Sequence, residues 1–358
     1  MVTVLIFFLI LVVLVVIHEF GHFIAAKKCG VYVEEFGFGF PPRLIGKKIG
    51  ETIYSINALP LGGFVRLFGE EYHEEKEENK HSIPKERAFI NKKPWQKAII
   101  ITAGVVMNFL LGWALISYLF TVGTPAPAGI SIEQVQKNSP AEIIGMQKGD
   151  KLEKIIIDGK ELPLKTTPDL INAAKKYADR EVTIFAIRNG NIMAFNIIPR
   201  SKPPEGQGSL GIVINQIVEM KRYPWYSAPY YGLIEAATMT RTIFTELIKI
   251  PLQFLTSQKT DVEFSGPIGI AKIVGEARKY GINALLEITA LLSLNLAVVN
   301  ILPFPALDGG RMVFVWYEWI TGKRPNQNLE KYLNLAGIII LLSLSALVTF
   351  YDIRKLWG

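Results

Sequence analysis

Four stretches of the chain stand out because each contains at most one Asp, Glu, Lys or Arg: Val2 to Ala26, Ala98 to Val122, Ala284 to Leu302 and Leu333 to Phe350. A hydrocarbon layer of ~30 Å needs about 20 apolar residues of helix, so each stretch predicts a membrane-spanning helix. The first has no basic residues ahead of it and no small-residue cleavage site before Lys27 and Lys28, so it reads as a retained helix and not as a signal peptide. A fifth stretch, Pro229 to Leu255, carries Glu235, Arg241, Glu246 and Lys249, with Pro251 near its end. Charges at the bilayer centre are expensive, so this stretch predicts an interfacial amphipathic helix, the alternative being a core helix of a soluble part.

Between Ala126 and Arg200 the long apolar runs give way to short alternating ones. Ile130 to Val135, Lys151 to Ile157 and Glu181 to Ile187 predict strands, and the Asn189-Gly190 turn predicts a hairpin into Ile192 to Ile198. Helices are expected at Pro140 to Ile144, opened by Ser139 as N-cap, and at Pro168 to Tyr177, opened by Thr167. The chain therefore divides into residues 1–125 with the first two spanning helices, a small α+β domain at 126–202, a linker with the interfacial helix at 203–283, and the last two spanning helices at 284–358.

Composition agrees with a membrane protein. Half of the residues are hydrophobic and 20% are charged, against about 25% charged in soluble domains. The net charge of +7 comes from Lys and Arg beside the apolar runs, with no Arg/aromatic stripe, so nucleic acid is not an expected partner and the lipid bilayer is. Lys27, Lys28, Arg43, Lys47 and Lys48, then Lys85, Arg87, Lys92, Lys93 and Lys97, flank the loop between the first two spanning helices. Basic flanks stay cytoplasmic, which puts that loop inside, the α+β domain outside, and the segment with Arg311, Lys323, Arg324 and Lys331 inside again. The single cysteine, Cys29, excludes an internal disulfide and a thiolate zinc site, so any metal must be held by histidine and carboxylate.

One short motif carries chemistry: His18-Glu19-Phe20-Gly21-His22. On a helix, the four-residue spacing puts both imidazoles on one face, where they can share a zinc ion while Glu19 takes a proton from water on the metal. His18 ends an apolar run and lies roughly 24 Å along the helix from Val2, inside the membrane and near the cytoplasmic side. An ionisable cluster at that depth is read as functional. A hydrolytic zinc site needs a third protein ligand. His73 and His81 sit in an acidic, lysine-rich stretch and are poor candidates. Asp308 is the better one. It follows the third spanning helix on the same side of the membrane as His18, and Pro303, Pro305, Gly309 and Gly310 let the backbone fold back.

With Leu307-Asp308-Gly309 in place, the chain resembles the site-2 protease family of intramembrane zinc metalloproteases, in particular the bacterial regulator of sigma-E protease type. The resemblance extends to Gly37-Phe38-Gly39, the run from Asn57 to Val65, Met107-Asn108, and Ser265 to Ile270. Asn138 to Glu142, Lys148-Gly149-Asp150 and Asp158-Gly159 resemble the bacterial type of PDZ domain. The resemblance implies a polytopic α-helical membrane protein of about four spanning helices with one inserted PDZ-like domain and a membrane-associated β-hairpin, located in the inner (cytoplasmic) membrane. It implies Zn2+ held by His18, His22 and Asp308, with Glu19 as catalytic base, and cleavage of a single-pass membrane substrate such as an anti-sigma factor or a remnant signal peptide. It also implies that Asn57, Pro60, Gly62 and Gly63 in the hairpin, and Asn295 and Asn300 on the third spanning helix, engage substrate. A peptide or protein ligand is expected at the PDZ-like domain. The pattern of the hairpin itself predicts strand runs at Thr52 to Ile56 and Phe64 to Phe68 around a Pro/Gly-rich turn. The competing reading is a non-enzymatic membrane adaptor, against which Glu19 argues, because a structural metal needs no base.

Overall fold

A computed structural model describes residues 2–70, 83–204, 206–255 and 266–357, which form two compact units, Met1–Thr121 with Pro224–Gly358, and Val122–Tyr223. His73 and His81 lie outside the described residues.

In the first unit, four of the described helices are long and apolar enough to cross a membrane: α1 (Val2–Lys28), α2 (Pro94–Val122), α7 (Ile282–Ile301) and α9 (Gln327–Trp357). Their apolar residues run all the way round, so burial and not sequence pattern shows which side faces protein. In α1 the buried Phe7, Ile10, Leu14, His18, Gly21 and Ala25 recur every three to four residues along one face. Phe7, Ile10 and Leu14 pack against Val274 of α6 (Pro267–Lys279), and the opposite face leaves Leu5 and Leu9 exposed, as a helix bathed in lipid requires. Helix α5 (Ala228–Leu255) continues through Pro251, and its Ala236 is fully buried among Ile116, Ala290 and Leu294 of α2 and α7. Trp113 donates to the carbonyl of Pro229 at 2.8 Å, so the first half of α5 is docked on spanning helices.

The chain after α1 does not form the two short strands expected around a Pro/Gly turn. Instead β1 (Val33–Ile49) and β2 (Thr52–Leu67) are long, and the tight turn is at Gly50-Glu51. Both expected runs fall in β2, apart from Phe68 just beyond its end, and both find partners in β1. Phe36 pairs with Val65 on one side and Tyr54 on the other, while Lys47 also pairs with Tyr54. The bent ladders thus lay four runs side by side in the order 63–67, 33–38, 53–57 and 43–49. The partners of residues 33–38 lie 18 to 34 residues away, and the local pattern that suggested the turn carries no information about them. Glu35, 3% exposed, holds the sheet together by accepting hydrogen bonds from Arg43 at 2.6 and 3.1 Å and from Ser55 at 2.5 Å. Glu51 in the turn accepts from Arg87 at 2.8 Å and Lys27 at 2.6 Å, and these two partners hold its carboxyl down at about 2.

After α7, Leu302 leaves the helix for an extended conformation, and Pro303 and Pro305 prevent its resumption. Helix α8 (Asp308–Thr321) then starts tightly against the end of α7. A Cβ on Gly309 would strike the carbonyls of Ile301 and Leu302, and one on Gly310 would strike that of Phe304. The two glycines therefore let α8 begin where it does, with Asp308 in its first turn, where the helix dipole favours a carboxylate. Lys97 of α2, 4% exposed, meets Glu318 of α8 at 2.7 and 3.0 Å.

The second unit is an antiparallel sheet of six strands, running β7-β6-β4-β3-β8 with β5 attached to β4. The strands are β3 (Thr124–Val135), β4 (Lys151–Ile157), β5 (Lys160–Pro163), β6 (Val182–Arg188), β7 (Asn191–Ile197) and β8 (Ile212–Lys221), with helices α3 (Pro140–Ile143) and α4 (Thr167–Lys176). Ser139 caps α3, its Oγ accepting from the Glu142 N–H at 3.2 Å. Thr166, not Thr167, caps α4: Thr166 is extended, and its side chain and that of Asp169 form a reciprocal capping box. Ile130, Leu152, Ile155 and Ile184 form the centre of the core. Strand β8 pairs with β3 from Ile212 to Lys221, so this unit reaches Tyr223, well past the boundary expected at 202. Isoleucine and valine occupy both faces at the start of β8, which hides its alternation in the sequence.

Candidate metal centre

His18 and His22 stand one turn apart on α1, and Asp308 meets them from the first turn of α8. Oδ2 of Asp308 lies 3.1 Å from Nε2 of His18 and 3.3 Å from Nε2 of His22, and the two Nε2 atoms are 3.2 Å apart. Tetrahedral zinc with bonds of about 2.0–2.1 Å sets its ligand atoms roughly 3.3 Å from one another. The Nδ1–H of His22 donates to the carbonyl of Ile100 at 2.8 Å, which leaves Nε2 as a bare lone pair facing a carboxylate oxygen. Asp308 Oδ2 is buried and accepts no hydrogen bond among the described residues. Lone pairs converging in a buried place suit a cation between them, and two imidazoles with one carboxylate are a zinc-type donor set.

The spacing between α1 and α2 at this level depends on Gly104. A Cβ there would strike Nε2 of His22 and come within 2.7 Å of His18 Cε1 and 2.8 Å of His22 Cε1. The three side chains open onto a cavity of about 520 Å³, which Glu19, Gly63, Phe64 and Arg311 also line. Gly63 passes so close to Glu19 that a Cβ on it would lie 3.1 Å from Glu19 Cγ. Arg311, one turn beyond Asp308, is paired with Glu70 at 2.5 Å on the wall of the cavity.

The remaining residues expected to engage substrate are distributed unevenly. Gly63 is in the cavity wall, and Asn300 Nδ2 is 3.5 Å from His18 Nε2. Gly62 packs against the ring of Phe40. Asn57 is buried inside the sheet and donates to the carbonyls of Gly39 and Phe38 at 3.0 and 3.3 Å, and Asn295 donates to Leu291 of its own helix at 2.9 Å. These two amides brace backbone and do not line the cavity. The side chain of Pro60 lies outside the described ones. Sequence reasoning missed the roles of Gly104 and Ile100. A buried backbone carbonyl leaves no trace in sequence, whereas Gly104 and Asn108, four apart in an apolar span, were a usable signal.

Two histidines of a membrane-spanning helix and a carboxylate from the first turn of α8, beside a glutamate in a cavity, fit the class of membrane zinc metalloproteases. The chain matches the model of peptidase family M50 over residues 6–344, and it belongs to this family, that of the site-2 proteases. It is 34% identical over 351 residues to a Clostridium perfringens protein with a provisional zinc metalloprotease name, covering 95% of each chain. It is also 28% identical over 429 residues to the Bacillus subtilis regulator of sigma-W protease RasP and over 430 residues to the Bacillus licheniformis zinc metalloprotease RasP, covering 99% of each chain in both cases. Zinc is the cofactor of this family.

Proposed function

We propose that this protein cleaves a single-pass membrane protein within or next to its transmembrane segment, with His18, His22 and Asp308 holding zinc and Glu19 acting as the base. The convergence of those three donors on one cavity with Glu19, at a depth reached by a membrane-spanning helix, carries the reading. Zinc held by these three residues would supply Lewis acidity for the scissile carbonyl and lower the pKa of water toward about 7. Glu19 takes the proton of the attacking water and later delivers it to the leaving amine.

A substrate helix must first unwind, because its amides are bonded internally and shielded from attack. The run Gly63–Leu67 supports a way to compensate. It pairs with residues 33–38 on one side and lines the cavity, so its other edge can receive an extended substrate segment by strand addition. Gly63 beside Glu19 would bring the paired peptide bond toward the base. The second unit is read as a single PDZ-like domain on the outer side, able to take a peptide at a sheet edge, β7 or β8. The basic flanks favour a zinc site near the cytoplasmic side of the inner membrane. The substrate class is a membrane remnant left by a first cleavage outside, such as an anti-sigma factor or a signal peptide.

The test compares wild type with Glu19→Gln in liposomes on a single-pass reporter with a helix-destabilising residue pair, measuring zinc content in both. Wild type should cleave within the helix, and the variant should bind zinc without cleaving. Cleavage by Glu19→Gln at the wild-type rate removes Glu19 as base, and reporters that survive wild type intact remove the intramembrane reading.

A further inference from the structure

The second helix meets the candidate centre along one line. Ile100, Gly104 and Asn108 follow one another at four-residue intervals and so stand above one another on one face of α2. The Ile100 carbonyl holds Nδ1–H of His22 at 2.8 Å, and Gly104 makes room for both rings. At the third position, the side-chain amide of Asn108 lies 3.2 Å from Nδ1 of His18. Asn108 is wholly buried, and its Oδ1 has no hydrogen-bond partner among the described residues. Its main-chain carbonyl accepts from Ser293 of α7 at 2.7 Å, so the residue is pinned from a third helix.

An amide nitrogen donating to Nδ1 would put the proton of the neutral imidazole on Nε2. That proton would point from His18 Nε2, itself 3.1 Å from Asp308 Oδ2 and 3.2 Å from His22 Nε2, into the space between the three ligand atoms, and would block ligation. Turning the amide by 180° gives Oδ1 the Nδ1–H as donor and frees the Nε2 lone pair. His18 is then oriented as His22 is, by an acceptor on α2 behind the ring. We infer that Asn108 is the positioning residue for His18: its Oδ1 accepts Nδ1–H and fixes the ring and tautomer in which Nε2 can bind metal. The inference rests on the assignment of His18, His22 and Asp308 as the zinc ligands. Residues behind ligating histidines typically control metal affinity by 10- to 100-fold.

The experiment uses the full chain purified in detergent. Zinc affinity is read by competition with a chelator, the site geometry by the absorption of the cobalt-loaded protein, and folding by thermal melting with and without zinc. Asn108→Leu keeps similar bulk without the acceptor, and its zinc affinity should fall 10- to 100-fold. Asn108→Asp keeps the acceptor. It should bind zinc at least as tightly as wild type with the same cobalt spectrum. Its Tm should rise more on adding zinc than that of wild type, because the new buried carboxylate is compensated by the imidazole N–H that metal binding enforces. His18→Ala is the control for the ligand assignment: unchanged zinc affinity there overturns the assignment itself. Loss of zinc in His18→Ala with wild-type affinity in Asn108→Leu overturns the role of Asn108 alone. Should Asn108→Leu fail to fold, the Asp variant decides, and an altered cobalt spectrum or a Tm gain on zinc no larger than that of wild type overturns the inference.

Discussion

Replacing Gly104 with alanine adds a single methyl group at the point where α2 passes both imidazoles. The new carbon would lie 2.7 Å from Cε1 of His18 and 2.8 Å from Cε1 of His22, with Nε2 of His22 closer still. Non-bonded carbons settle at about 3.5–4.0 Å, so each ring must retreat by roughly 0.7 Å or more. Neither ring is free to do so, since His22 is bonded to the Ile100 carbonyl and His18 lies against Asn108. Zinc–ligand distances tolerate deviations of about 0.2 Å, so the displacement is several times what the metal accepts. Alanine favours helix over glycine by about 1 kcal/mol, but overpacking against two held rings costs about 1–3 kcal/mol, so the fold gains nothing from the substitution. Zinc affinity should therefore fall, and cleavage should drop by about 100-fold, the typical penalty of a 1 Å misplacement, while the metal-free Tm falls only modestly. Chelator competition, reporter cleavage and melting of the metal-free protein measure the three quantities. A Gly104→Ala variant that binds zinc and cleaves as wild type does would show that the two rings do not hold the metal in the observed arrangement.

Lys97→Met leaves the carboxylate of Glu318 without its partner in a place where it is 14% exposed, and should lower stability by about 3–5 kcal/mol, seen as a drop in Tm that Lys97→Met with Glu318→Leu partly restores. An unchanged Tm in the single variant would mean that the pair does not fasten α8 to α2. Gly63→Val pushes carbon toward Glu19 and should abolish reporter cleavage while zinc content stays at the wild-type level; unchanged turnover would detach this edge from the reaction. Burial pushes the carboxyl of Asp150 upward, but the hydrogen bonds from Arg188 at 2.7 Å and from the Gln147 N–H, with the Arg188 charge, hold it below the ordinary range. Its contribution is thus complete above the unfolded value of about 3.9 and disappears as pH falls through the lower folded value. Hydrogen-exchange protection of β4 and β6 in the full chain should fall below about pH 4 in wild type and depend less on pH in Asp150→Asn. Equal slopes would refute this account.

The sequence by itself determined what depends on near neighbours. Long apolar runs needed no partner to predict the four spanning helices, because backbone satisfaction in lipid is met within each helix. The four-residue spacing of His18 and His22 placed them on one face for the same local reason, and Ser139 and Asn189-Gly190 marked a cap and a turn through their own backbone chemistry. Tertiary structure decided everything that joins distant segments. The bent ladders of β1 and β2 and the register of β8 on β3 depend on pairings that a Val/Ile-rich run can satisfy in several ways. Asp308 could be nominated from its prolines and glycines, but its approach to 3.1 and 3.3 Å of the imidazoles comes from the packing of α8 against α7 and α2. The Ile100 carbonyl, the gap at Gly104 and the buried amide of Asn108 acquire their meaning only when α2 lies beside α1. In a membrane, apolar residues on every side of a helix conceal which face meets protein, so the faces that build the centre become visible only after the helices have packed.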